Sequence, residues 1–252
     1  MSLLKQVKPQ KEPRSLLLIS KPKVGKTTIC STLPHSVLID MEDGSNYISH
    51  DAVLKVDDKT NWSELLKVKG EYHFCIVDTL SALESYFDSK LTKEHNRKVI
   101  AEAKSSGADK DANTVSSITA LPFGAGYGEL RVKIVSFMKF IESIFPRVIY
   151  LGHSRNKLIN SNATVLELAL SGKLMGIVLS LVDTIGYLHK DNENKVSIVF
   201  NSASIDVGGS RFDYGVDELP ISKQLEDGSI ETYWEDVFPE SIKQLINAKE
   251  KQ

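Results

Sequence analysis

The chain has 252 residues, 41% apolar and 25% charged, with a formal net charge of -2, which suits one large α/β domain with a buried core and is short for two. Its longest apolar runs fall well below the length of a membrane span, and a pI near 6.3 removes any overall electrostatic case for nucleic acid, so such binding would need a local basic patch. The two cysteines, Cys30 and Cys75, lack metal-ligand spacing and read as buried thiols.

Residues 1–14 are basic and lack the apolar stretch of a secretory signal, so they are expected as a flexible tail of a cytoplasmic protein, with residues 15–252 forming a single domain. Leu16–Ser20 is a continuous apolar run of the kind found in strands covered on both faces of a parallel sheet. Similar runs recur at Val37–Ile39, Phe74–Val77 and Val148–Leu151, spaced widely enough for crossover helices. Helices are predicted over Lys26–Leu33, Asn61–Lys69 and Gly128–Phe145. Between Asn96 and Gly128 the weak hydrophobic periodicity predicts a long, partly mobile loop. Further on, Lys157–Leu168 reads as a loop or hairpin and Ser171–Leu181 as a helix. Asp183–His189 and Lys195–Phe200 read as antiparallel strands extending the sheet, and Pro239–Lys249 as an outer helix.

The segment Ser20–Thr28, S-K-P-K-V-G-K-T-T, lies between a strand and a helix, where a phosphate-binding loop belongs. Ser20, Lys21, Pro22, Lys23, Val24, Gly25, Lys26, Thr27 and Thr28 are therefore the candidate nucleotide-binding residues. Backbone amides would surround the phosphates of ATP, Lys26 would reach the outer ones, and the Thr27 hydroxyl would ligate Mg2+. Ser20 stands where such loops have their first glycine, so the exit from the strand requires a negative φ there. A lysine-rich turn capping a helix is the simpler alternative, and the strand–loop–helix context argues against it.

Two strands end in acids. H-F-C-I-V-D-T-L presents Asp78 either as a partner of Mg2+ or as a cap for the following helix, with Thr79 beside it. V-L-I-D-M-E-D-G brings Asp40 and Glu42 to the end of a strand, on the same side if alternation continues. One of them could orient water on a γ-phosphate, or both could simply form a polar turn.

In this order of elements the chain resembles the RecA-like ATPases, and among them the core-only RecA-type and AAA-domain nucleotide-binding proteins of phages, over roughly Leu16–Leu188. The resemblance implies an α/β P-loop NTPase with a mostly parallel sheet flanked by helices, and a Mg-dependent ATPase activity. It makes Glu42 the catalytic base, Asp78 the magnesium partner and His153, in R-V-I-Y-L-G-H-S-R-N-K-L-I, the γ-phosphate sensor. It also implies single-stranded DNA binding in recombination or annealing, as a homo-oligomer, with a single-strand DNA-binding protein as a partner, no membrane, and a bacterial host cell as the setting. The corresponding DNA loops are Ala103–Gly128 and Arg155–Lys173, with Arg155, Lys157 and Lys173 as phosphate contacts and Phe123 or Tyr127 for stacking. The lysines by which RecA proper reaches a neighbouring subunit's ATP are reduced here to Lys195, so Arg211 is the substitute candidate for a nucleotide-contacting or trans-acting arginine. Two competing readings are a nucleotide switch resembling ParA and MinD, suggested by Lys21, and a nucleotide-binding partner-docking module without DNA activity.

Overall fold

The computed structural model describes residues 9–106, 113–160 and 163–250. Three of the apolar runs form strands buried along their whole length: β1 (Ser15–Ser20), β2 (Ser36–Asp40) and β4 (Phe74–Asp78). Their continuous apolarity has a simple cause. Leu17, Ile19, Val37, Ile39, Cys75 and Val77 enter the core on one face of the sheet, while Leu16, Leu18, Leu38, Phe74 and Ile76 enter the core on the other, so neither face can be polar. Cys30 and Cys75 are free and buried, as expected.

With β3 (Ala52–Lys55) and the long β5 (Arg147–Asn160), these strands make the parallel part of the sheet. β7 (Thr184–Lys190) pairs parallel to β1 on its other side; β8 (Val196–Val199), β10 (Glu218–Gln224) and β11 (Ile230–Thr232) then follow in antiparallel pairs. The spatial order is β11-β10-β8-β7-β1-β5-β4-β2-β3, while β6 (Ala163–Leu168) pairs with β5 and β9 (Gly209–Ser210) with β7. This is the α/β architecture expected from the sequence, a mostly parallel sheet with helices and with antiparallel strands toward the C-terminus. Its order places β5 between β1 and β4, and opposes His153 to Ser20.

The helices are α1 (Lys26–Cys30), α2 (Leu80–Ser106), α3 (Ala125–Ile144), α4 (Leu174–Leu181), α5 (Trp234–Val237) and α6 (Pro239–Lys249). Several boundaries differ from expectation. Asn61 does cap the next turn by accepting from the Ser63 amide at 3.2 Å, but residues Trp62–Val68 coil as a 3₁₀ helix. The expected loop from Asn96 is helical as far as Ser106, because H-N-R-K-V-I-A-E-A-K-S-S is rich in helix-forming residues without needing an apolar face. Residues 107–112 of that expected loop lie outside the described residues. The rest is compact: 3₁₀ turns at Ile118–Ala120 and Pro122–Gly124 lead into α3. At Gly126 a Cβ would stand 1.6 Å from the Ile118 carbonyl oxygen, so only glycine lets α3 pack there.

Of the two readings for Lys157–Leu168 the hairpin is the one formed, by β5 and β6, so the segment Arg155–Lys173, which the resemblance made a DNA loop, is mostly paired strand. The expected tail also needs correction at its inner end. Glu12 is buried and pairs with Arg147, whose guanidinium approaches at 2.6 Å, and it accepts from the Glu240 and Ser241 amides at 2.8 and 3.0 Å. A carboxylate at the start of α6 satisfies the free amides of its first turn, which ties residues before β1 to the far end of the chain.

Candidate nucleotide site

The site forms at the C-terminal edge of β1, β2, β4 and β5. Ser20 ends β1 without a positive φ, as its β-carbon requires; the left-handed positions of the loop are Lys23 (φ 65°) and Gly25 (φ 98°). At Gly25 the absence of a side chain removes the cost of that conformation. Lys26 is buried and its Nζ donates to Ser20 Oγ at 3.0 Å, reaches the Lys21 carbonyl at 3.4 Å, and lies 3.4 Å from His153 Nδ1. Ser20 therefore holds the lysine in place. Burial lowers the Lys26 pKa from its usual value, and the charges of Asp78 and Glu42 oppose that shift.

Thr27 Oγ1 donates to Asp78 Oδ2 at 2.6 Å. Burial raises the Asp78 pKa, the Thr27 hydrogen bond works against this, and the nearby Glu42 charge adds to the rise. The Lys26 charge also works against the rise, and a carboxylate held out of water beside a second acid is well placed to gain a cation. The alternative role for Asp78, capping α2, falls to Thr79, whose Oγ1 accepts from the Ala82 amide at 3.3 Å. The Asp78–Thr79 peptide is cis.

Thr79 Oγ1 also donates to Glu42 Oε1 at 2.6 Å, and His153 Nε2 lies 3.2 and 3.3 Å from the two Glu42 oxygens. Lys26, His153, Glu42 and Thr79 thus form one continuous chain of contacts. Asp40 does not share this side. β2 stops at Asp40, and the carboxylate turns into the following loop, where it accepts from the Ser45 hydroxyl and from the amides of Ser45 (2.9 Å), Glu42 (3.1 Å) and Gly44 (3.2 Å). Burial alone would raise its pKa, but the Ser45 hydroxyl and these amides outweigh it and lower the value. Asp40 shapes the turn that delivers Glu42.

The donor set fits magnesium held jointly with phosphate. Thr27 and Asp78 offer two oxygens, and a Cβ at Gly44 would come 3.8 Å from Thr27 Oγ1 and 3.9 Å from Asp78 Oδ2, so glycine keeps space beside the pair. Among the described residues no group of three or more His, Cys, Asp or Glu could hold a metal alone. Sequence reasoning missed Gly44, since one glycine in a polar turn carries no chemical signal.

Arg211 is placed elsewhere. Its guanidinium donates to Asp183 Oδ1 and the Ser180 carbonyl, each at 3.0 Å, and its amide bonds the Asp183 carbonyl. Asp183 also accepts from the Ser15 amide, at the opposite end of β1 from Ser20. Arg211 therefore cannot touch a nucleotide held by its own chain. Arg155 and Lys157 are not free cations either: Arg155 Nε donates to Glu167 Oε1 at 2.7 Å and Lys157 Nζ to Asp206 Oδ2 at 2.9 Å. Lys173 shares a groove with the exposed Phe123 and Tyr127 and the half-buried Arg131, apart from these pairs. The Lys21 side chain is exposed, and only its carbonyl enters the network.

A family model for the AAA domain matches residues 12–212, which contain every element of this site. The chain belongs to the AAA domain family. The candidate nucleotide site lies wholly within this AAA domain. Among solved structures, the crystal structure of the RadB recombinase is similar at 13% identity with a TM-score of 0.40, covering 88% of this chain and 92% of that one. No curated protein matched the sequence. Among the described residues no helix is long and apolar enough to cross a membrane.

Proposed function

We propose that this AAA domain is a Mg-dependent ATPase whose nucleotide state governs single-stranded DNA binding, as in a core-only RecA-type protein of phage recombination or annealing, acting as a homo-oligomer. The observation that carries the reading is the contact chain from Lys26 through His153 to Glu42, set beside the Thr27–Asp78 pair. Magnesium bound there would neutralise phosphate charge. Lys26 faces the outer phosphates, and Glu42, held by Thr79, accepts a proton from water aligned on the terminal phosphate. His153 contacts both the lysine and the base, so loss of that phosphate changes its hydrogen bonding, and β5 carries the change into the β5–β6 hairpin.

For DNA, Lys173 and Arg131 with the exposed rings of Phe123 and Tyr127 offer cations beside stacking surfaces. Arg155 and Lys157 would have to exchange Glu167 and Asp206 for phosphate. That pairing favours, as a second reading, a nucleotide-dependent switch that works without DNA.

The test is ATP hydrolysis by the purified protein with and without magnesium and single-stranded DNA at two salt concentrations. Lys26→Ala is expected to abolish nucleotide binding, and Glu42→Gln to keep binding and stop turnover. Stimulation by DNA that fades with salt supports the recombination reading; DNA-independent turnover supports the switch. Retained turnover in Glu42→Gln removes Glu42 as the base.

A further inference from the structure

The phosphate chemistry lies on the β2, β4 and β5 side of the loop. On the other side, toward β7, β8 and β10, is a cleft that this chemistry leaves unused, with Lys23, Gly25 and Thr28 of the loop forming one wall. The facing wall comes from the turn between β7 and β8 and from the β10–β11 hairpin, chiefly Asn194, Gln224 and Ile230. Their meeting follows from strand direction. β7 is parallel to β1, β8 opposes β7 and β10 opposes β8, so β7 and β10 both end at the sheet edge where Ser20 leaves β1. Val24, Ile29 and Val196 supply an apolar lining, while the amides of Asn194 and Gln224 make no hydrogen bond to other described side chains.

A triphosphate is a linear ligand, and the direction it takes through the loop is set by two adjacent residues of α1. Thr27 turns to Asp78, where the outer phosphates and metal belong, and Thr28 faces the cleft. We propose that this cleft holds the nucleobase, a purine lying against Val24, Ile29 and Ile230 with its polar edge read by Gln224 and Asn194. Apolar walls suit the faces of a flat ring, and an amide offers both a donor and an acceptor to its edge. The proposal rests on the nucleotide reading given above and adds the site of base recognition.

The test measures magnesium-dependent binding of ATP and of inorganic tripolyphosphate to the full chain by calorimetry, with thermal melts to confirm folding. Wild type is expected to prefer ATP. Gln224→Ala should weaken ATP by about fivefold, the worth of one neutral hydrogen bond, and Ile230→Trp, which fills the cleft, by at least about tenfold. Tripolyphosphate should bind all three proteins alike. Unchanged ATP affinity in both variants overturns the proposal, as does equal affinity of wild type for the two ligands. So does loss of the ATP preference in Tyr47→Ala, since the exposed Tyr47 stands on the Gly44–Tyr47 turn at the opposite side of the loop. If wild type binds neither ligand, the nucleotide reading itself fails, and the base cleft falls with it.

Discussion

Replacing Thr79 by valine separates the placement of Glu42 from every other property of the site. Thr79 is completely buried, and its hydroxyl has two partners: it donates to Glu42 Oε1 at 2.6 Å and accepts from the Ala82 amide at 3.3 Å. Valine keeps the shape and removes both. Without the hydroxyl, the Glu42 carboxylate retains only His153, at 3.2 to 3.3 Å. A hydrogen bond to a charged group contributes about 1.5–3 kcal/mol, and each ~1.4 kcal/mol at the transition state is tenfold in rate. The turnover number should therefore fall roughly 10- to 100-fold. ATP affinity should hold, because Thr79 makes no hydrogen bond to Lys26 or Thr27. Loss of the α2 cap costs about 1 kcal/mol, which for a chain of this size lowers Tm by about 2–4 °C. Steady-state hydrolysis, equilibrium binding and a thermal melt read the three effects, and Thr79→Ser should restore all of them. A valine variant that melts earlier but turns over ATP normally would reduce Thr79 to a helix cap, and affinity falling in step with turnover would refute its action through Glu42.

Three further outcomes follow from the same geometry. Glu12→Ala leaves Arg147 and the first turn of α6 without their carboxylate and should cost about 3 kcal/mol in urea unfolding, near the lower end for a broken buried pair because Arg147 is 21% exposed. Burial opposes ionisation of Glu12, but Ser241 and Arg147 outweigh it, so its folded pKa lies below the usual 4.5. That contribution is thus present above pH 4.5 and is lost as pH falls through the folded pKa, and the gap in stability between wild type and Glu12→Gln should narrow over that acidic window; a gap independent of pH would exclude the ionised carboxylate as its source. Gly44→Val crowds the Thr27–Asp78 pair and should raise the magnesium requirement of turnover several-fold while nucleotide binding in EDTA stays unchanged, an outcome read from magnesium titrations. Arg211→Ala should leave ATP affinity untouched and change stability by no more than about 1 kcal/mol, since the arginine side chain of its pair with Asp183 is 65% exposed; a large loss of affinity would contradict its place at the far end of β1.

The strands and the phosphate loop were legible because burial on both faces forces continuous apolar runs, and because the chemistry sits where those runs stop. What the sequence hid is non-local. Nothing near Arg155 or Lys157 announces that Glu167 and Asp206 neutralise them, since one pairing depends on hairpin register and the other on a loop about fifty residues away. Arg211 was the substitute candidate for a nucleotide contact because the later strand offers only Lys195, yet the pairing of β9 with the start of β7 carries it to the opposite edge. Helix α2 was half missed for the reverse reason: its second half faces solvent, so it has helical propensity without the apolar periodicity by which helices are recognised.

The D-M-E-D segment shows how fine the remaining ambiguity is. Asp40, Glu42 and Asp43 are chemically alike and within four residues, and alternation alone would give Asp40 and Glu42 the same role. The strand ends at Asp40, whose carboxylate is then consumed by the Glu42, Gly44 and Ser45 amides, and Asp43 takes a left-handed turn with φ 56°. Only Glu42 is left facing Thr79 and His153. A base needs a free lone pair directed at water, and an architectural carboxylate needs all its lone pairs filled by amides, so the two roles exclude each other in one residue. The site therefore requires both acids: Asp40 to fix the turn, and Glu42 to be held at its end by one hydroxyl and one imidazole.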